Sequence, residues 1–414
     1  TLCALLIVVA ACAGPARPEP AIAPPNPPSP HQPVPPAGME EPMHARNDFG
    51  IRLLAELLPD TADRNVFVSP PSVLLALSMA LNGARGPTRE AMTGALGFAG
   101  LENDEVNRLN ATLLASLDTD DPDIELDVAN ALWVRSGIPL AREFVHACAE
   151  HYRGRAEELD FDAEHAVATV NEWVRNRTRN RIPSIVEHLG REDVLLLTNA
   201  VYFKARWAGP FAPEETREQK FRPAAGPPRL TPMMRRTGEF DYREDDELQV
   251  IRLPYGRGNF AMYVLLSAET GVDALVAKVA DGGIGPELTG LTRQPGRLVL
   301  PRFRVESGGR LNDTLGRLGM AIAFDPRRAD FQAMLPAEID MEFFISEVVH
   351  KSFIEVGEEG TEAAAATGVR MSMTSMPAEE EGFVMVCDRP FLALIRNEAT
   401  GTILLIGAVN DPTR

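Results

Sequence analysis

Apolar positions along the chain recur with two different periods, and the change from one to the other divides it. Over residues 47–58, Phe49, Ile51, Leu53, Leu54, Leu57 and Leu58 follow the spacing of an amphipathic helix. Residues 72–82 predict a second helix, introduced by Ser69-Pro70-Pro71, since proline suits a first helical turn and breaks an interior. A third, carrying Trp173, is predicted over 166–179, with strand-like runs at 128–134 and 194–203 on either side of it. Residues 250–266 predict two strands around the turn-rich Tyr255-Gly256-Arg257-Gly258-Asn259. Further strand patterns cover 297–305, 343–356, 383–386, 391–395 and 403–406. Helices crowd the first half and strands the second, with no internal repeat, which predicts one α+β domain.

The N-terminus follows neither period. Residues 2–11 are almost wholly apolar, too short a run to cross a bilayer as a helix, and small residues follow. Val9-Ala10-Ala11-Cys12 is similar to a bacterial lipobox, in which Cys12 is lipidated after a leader is removed. A simple secretory leader cut nearby is the other reading. Either one predicts an extracytoplasmic protein, secreted or held at the bacterial cell envelope by lipid alone. The proline-rich, aperiodic residues that follow have the composition of an extended spacer. The expected organisation is a leader over 1–12, a linker over 13–41 and a folded domain over 42–414.

Charge and cysteine content narrow the function. Across 414 residues, 41 Lys+Arg face 59 Asp+Glu, a formal net charge of −18. That balance argues against nucleic acid or an anionic membrane as main partner, because phosphate binding needs concentrated positive charge. The basic cluster Arg175, Arg177, Arg179 and Arg181 reads as a solvated face, with a polyanion patch as the alternative. Cys148 and Cys387 lie far apart and lack Cys-x-x-Cys spacing, so they predict neither a metal site nor a disulfide framework. The chain carries no Gly-x-Ser-x-Gly elbow, His-Glu-x-x-His or Walker loop. His146 and His151 do not share a helix face. The expectation is a protein with no catalytic residues, no metal and no cofactor.

One segment resists an ordinary assignment. After a strong strand pattern, Val356-Gly357-Glu358-Glu359-Gly360-Thr361-Glu362-Ala363-Ala364-Ala365-Ala366-Thr367-Gly368 is nearly devoid of core-forming side chains. Treated as a strand, residues 361–373 separate by parity. Thr361, Ala363, Ala365, Thr367, Val369, Met371 and Met373 share one face; Glu362, Ala364, Ala366, Gly368, Arg370 and Ser372 share the other. Every charge falls on one side, as in a strand with one buried face. Its alanine and glycine content makes it weak as a permanent strand. Such a segment suits a loop that can become a strand.

Glu358 to Thr367 resembles the hinge of inhibitory serpins, and the similarity extends over nearly the whole folded region. Asn65-Val-Phe-Val-Ser-Pro-Pro-Ser72, Thr198-Asn-Ala-Val-Tyr-Phe-Lys-Ala-Arg-Trp207, Leu300-Pro-Arg-Phe303 and Asp388-Arg-Pro-Phe391 resemble further signatures of the family, in order. The resemblance implies a helical region with three β-sheets and an exposed reactive-centre loop at about 358–382. It implies a monomeric suicide inhibitor: the target serine protease cuts the loop, forms an acyl-enzyme, and is dragged as the loop inserts into the central sheet. The spacing usual in the family, counted from Glu358, puts the cut at Thr374-Ser375, with Met373-Thr374 as the alternative. Thr or Met there suggests an elastase-like or subtilisin-like target, and cutting at Arg370 would inactivate. Ser69, Ser72, Asn199 and His350 resemble the family's shutter, where the sheet parts, and Trp207 its breach tryptophan. Lys351 and the loop glutamates are expected to be exposed. A non-inhibitory serpin acting as a surface binding protein is the alternative reading.

Overall fold

The computed structural model describes residues 40–61, 64–268, 272–361 and 382–414. Strand Leu195–Arg206 organises the fold because its residues are buried without interruption from Leu195 to Phe203. A near-continuous apolar run is what a strand covered on both faces requires. Around it the central sheet runs Phe303–Arg310, Glu347–Val356, Leu195–Arg206, Ile124–Arg135 and Arg155–Leu159, with the short strand Gly360–Thr361 wedged between the second and third.

A second sheet has nine strands among the described residues and contains Arg229–Glu244, Leu248–Tyr255, Phe260–Ser267, Thr292–Pro301 and the C-terminal strands Phe391–Asn397 and Ile403–Val409, with Arg217–Phe221 branching off Arg229–Glu244. Arg229–Glu244 shows how two of the three implied sheets become continuous. Residues 233–242 of this strand pair with Thr292–Pro301, and residues 241–244 pair with Leu248–Tyr255.

Three apolar clusters hold these layers together. Val201, Phe203, Ile354 and Val356 pack from the upper central sheet against Phe260, Met262, Phe391 and Leu404 of the second sheet. Lower on the same face, Leu195, Leu197 and Val348 meet the helical region, including Leu53, Leu74 and Leu77. On the opposite face, Ala200, Val349 and Phe353 lie under Val170 and Val174 of helix Ala166–Arg177 and under Ile182, Ile185 and Val186 beyond it.

Two sequence expectations need correction. The run 297–305 is not one strand: Thr292–Pro301 and Phe303–Arg310 belong to different sheets, separated at Arg302. The run 343–356 contains a strand only at Glu347–Val356. Phe343 and Ile345 are apolar because they enter the helical core, and the Ile345 amide bonds the Ala323 carbonyl at 3.1 Å. Cys148 and Cys387 are buried and unbridged. Among the described residues no group of three His, Cys, Asp or Glu side chains is arranged to hold a metal ion.

Candidate functional site

The site is a slot between two parallel strands. From Glu347 opposite Leu196 to Phe353 opposite Tyr202, strands Glu347–Val356 and Leu195–Arg206 pair directly. Above that they part. The chain turns after Val356 and comes back between them, with Thr361 antiparallel to Val356 on one side and to Ala205 on the other. Only glycine fits the preceding position: Gly360 has φ +154°, and a Cβ there would collide with the Ala205 carbonyl oxygen.

Polar contacts hold this wedge at the mouth of the slot. Trp207 donates from Nε1 to the Gly357 carbonyl at 2.9 Å, and its backbone amide donates to the Glu359 carbonyl at 2.9 Å. The Thr361 hydroxyl meets the Tyr255 hydroxyl at 2.5 Å, both fully buried. The Tyr255 ring stacks on Trp207 with centroids 4.4 Å apart. Glu358, expected to be exposed, is 8% exposed instead. Its carboxylate accepts from Arg302 Nε at 2.7 Å and from the Thr216 hydroxyl at 2.5 Å. Burial alone would raise this carboxyl, but the Arg302 and Thr216 donors outweigh it and hold the group below the ordinary range. Glu359 is half-buried beside it.

Lower in the slot the hydrogen bonds fix the tautomer of a buried histidine. The Ser69 backbone N–H can only donate, so it assigns His350 Nε2, 3.2 Å away, as the acceptor. His350 Nδ1 therefore carries the proton and donates it to Asn199 Oδ1 at 2.5 Å. The Asn199 amide then donates to both the Ser72 hydroxyl and Asn130 Oδ1. Ser69, Ser72, Asn199 and His350, scattered in sequence, thus meet in one buried chain of bonds, which Ser69 joins through its backbone N–H while its hydroxyl bonds to none of the described residues. Complete burial pushes the His350 pKa down to about 3 and keeps the ring neutral.

The structure adds four residues that the sequence did not single out for this site. Asn130 lies directly across from Asn199 in the adjacent strand. Tyr255 belongs to the Tyr-Gly-Arg-Gly-Asn joint, which signalled only a turn. Thr216 carried no local signal. Arg302 had one, since it is the arginine of Leu300-Pro-Arg-Phe303. Glu362, Ala363, Ala364, Ala365, Ala366 and Thr367 of the hinge, the Thr374-Ser375 bond and Cys12 lie outside the described residues.

Comparisons with known proteins give the family and the fold. The sequence model of the family described as serpin (serine protease inhibitor) matches residues 44–412. An uncharacterized serpin-like protein of Thermococcus kodakarensis is 37% identical over 91% of this chain and 87% of its own length. The leukocyte elastase inhibitor of Bos taurus is 33% identical over 90% of this chain and 100% of its own. The crystal structure of the thermophilic serpin tengpin in its native state superimposes with a TM-score of 0.83 at 28% identity, covering 91% of this chain and 96% of that one. With the slot, the wedge and the buried histidine network already in place, the family match across nearly all of the folded region means that the chain belongs to the serpins, a family of which many members inhibit serine proteases.

Proposed function

We propose that this serpin is a suicide inhibitor of serine proteases of elastase-like or subtilisin-like specificity. The observation that carries the reading is the wedge: the first residues of the loop are already strand-paired on both sides in the slot the rest must enter. The protease serine oxygen attacks the Thr374 carbonyl carbon, the bond to Ser375 breaks, and the new amine leaves with a proton. The freed strand then extends the wedge before water can hydrolyse the ester.

Physical magnitudes favour insertion. About ten residues entering a slot between two strands would each gain roughly 0.5–1.5 kcal/mol per net hydrogen bond. The sum is comparable with the roughly 5–15 kcal/mol that holds an ordinary domain together. The uncut form is then metastable and persists for kinetic reasons. The apolar, lipobox-like N-terminus supports a site of action outside the cytoplasm, with the protein secreted or lipid-anchored through Cys12.

Mixing the protein with an elastase-like and a subtilisin-like protease tests the reading. A complex that survives denaturing electrophoresis is expected, together with a higher melting temperature for the cut chain. Loop cleavage that yields neither effect overturns it.

A further inference from the structure

The basic cluster read in the sequence as a solvated face divides once it is placed on the fold. Arg175 donates to the Pro183 carbonyl at 3.2 Å, and Arg177 is exposed. Arg179 and Arg181 lie against the central sheet instead. The Arg179 guanidinium sits over the Tyr202 ring, 5.2 Å from its centroid, and pairs with Glu125 and, at 3.6 Å, with Asp127 of the strand beyond. The Arg181 guanidinium sits over the Phe353 ring at 5.8 Å, and Arg304 meets the same ring at 5.1 Å. Both distances are within the reach of a cation on an aromatic face. Tyr202 and Phe353 are buried and directly opposite each other, at the uppermost rung where the two walls of the slot pair. Arg179 therefore grips one wall and Arg181 the other.

The turn that carries them is tied down by its own bonds. Arg179 and Asn180 have φ of +49° and +64°, a left-handed pair that non-glycine residues keep only where the surroundings enforce it. The Thr178 hydroxyl donates to the Val174 carbonyl at 2.8 Å and accepts from the Ile182 amide at 3.2 Å. The Asn180 amide donates to the Arg175 carbonyl at 2.8 Å. Ile182 is buried in the apolar cluster that contains Ala200 of one wall and Phe353 of the other. Residues 178–182 thus bridge the slot with an apolar peg and one cation for each wall. Paired strands lie about 4.8 Å apart, so a strand admitted between Tyr202 and Phe353 would roughly double their separation. The turn cannot keep both ring contacts in their present geometry when that happens.

We propose that residues 178–182 are a strap across the slot, in which Arg179 on Tyr202 and Arg181 on Phe353 together resist the parting of the two walls. Its part in inhibition rests on the inhibitor reading above, whereas its hold on the uncut slot does not. The strap lies between the wedge at the mouth and the histidine network below, at the first rung an advancing strand must open.

The test compares the uncut full chain with Arg179→Met, Arg181→Met, both together, and Arg177→Met as a control that removes a neighbouring charge without touching a ring. Native-state hydrogen exchange is followed in peptides covering 195–206 and 347–356, with 403–409 as an internal reference. Each strap variant should raise exchange in the slot strands about twofold to fivefold, and the double variant more than either single one. Arg177→Met should match wild type, and 403–409 should not change. Unchanged slot exchange in the double variant overturns the strap. So does an equal rise at 403–409, which would mark a general loss of stability, or an equal rise in Arg177→Met, which would mark an effect of charge alone. Mixing the same proteins with a subtilisin-type protease separates the two readings. If wild type forms no denaturant-stable complex while the exchange differences hold, the inhibitor reading falls and the strap stands.

Discussion

At the mouth of the slot, strands Glu347–Val356 and Leu195–Arg206 are held apart by two residues of their own loop. Six residues lower, at His350 and Asn199, the same strands are held together by direct pairing and a chain of side-chain hydrogen bonds. The mouth contacts involve groups that remain in place if the strand grows downward: Thr361 stays under Tyr255, and Glu358 stays on Arg302. The lower contacts are different. An inserting strand must separate His350 from Asn199, and their buried polar groups then need new partners. Opening therefore starts where it is easy and is resisted where it is hard, which is how a metastable state lasts.

The largest effect should come from blocking the mouth. Thr361 is fully buried, between Ala205 and Val356 and against Tyr255. Thr361→Arg places a charged, bulky side chain where neither its volume nor its charge can be accommodated. Insertion should stall at its first step, and deacylation should then release active protease. The expected outcome is loss of the denaturant-stable complex, with the loop cut as an ordinary substrate. A variant that still traps protease at wild-type stoichiometry would show that the mouth does not control insertion.

Closing strength lower down should depend on pH. His350 is neutral in the folded state because burial depresses its pKa to about 3, whereas an exposed histidine has a pKa of about 6.5. Its folded-state pKa is the lower one, so its stabilisation is complete above about pH 6.5 and is lost as pH falls toward 3, at about 1.4 kcal/mol per pH unit. The geometry agrees in sign. An imidazolium would turn Nε2 into a donor facing the Ser69 N–H, replacing a hydrogen bond with a clash of donors. Urea unfolding of wild type and His350→Gln between pH 7 and pH 4 tests this: the stability gap should narrow as pH falls. Parallel profiles would mean that the histidine does not set the acid sensitivity of the closed region.

These two regions were unequally legible in the sequence. The strand parity of residues 361–373 is a local property, because alternation has a period of two whatever the partner strand is. Glu358 reads as exposed for an equally physical reason: an acidic run looks solvated until Arg302, from the distant joint between strands Thr292–Pro301 and Phe303–Arg310, is placed against it. Asn130 was invisible as a lone amide in an apolar strand run, since its meaning is the cross-strand pair with Asn199. His350 was identifiable as a buried strand residue from its neighbours' alternation. Its tautomer needed Ser69, which arrives from a different segment of the fold.

The finest test of the comparison removes one oxygen atom at the mouth. In Tyr255→Phe the ring can keep its stack on Trp207, so the change is confined to the bond with Thr361. That bond has a net value of about 1 kcal/mol, which corresponds to roughly a fivefold change in an equilibrium. Gly360 and Thr361 remain held by strand pairing on both sides, and Gly357 by Trp207. The wedge should therefore loosen without leaving. Hydrogen exchange in the segment containing residues 357–361 should rise by no more than about fivefold, while exchange around His350 stays at its wild-type rate. If exchange at His350 rises with it, the two ends of the slot open as one unit. If neither changes, backbone pairing alone holds the wedge and the tyrosine hydroxyl contributes only solvation of a buried threonine.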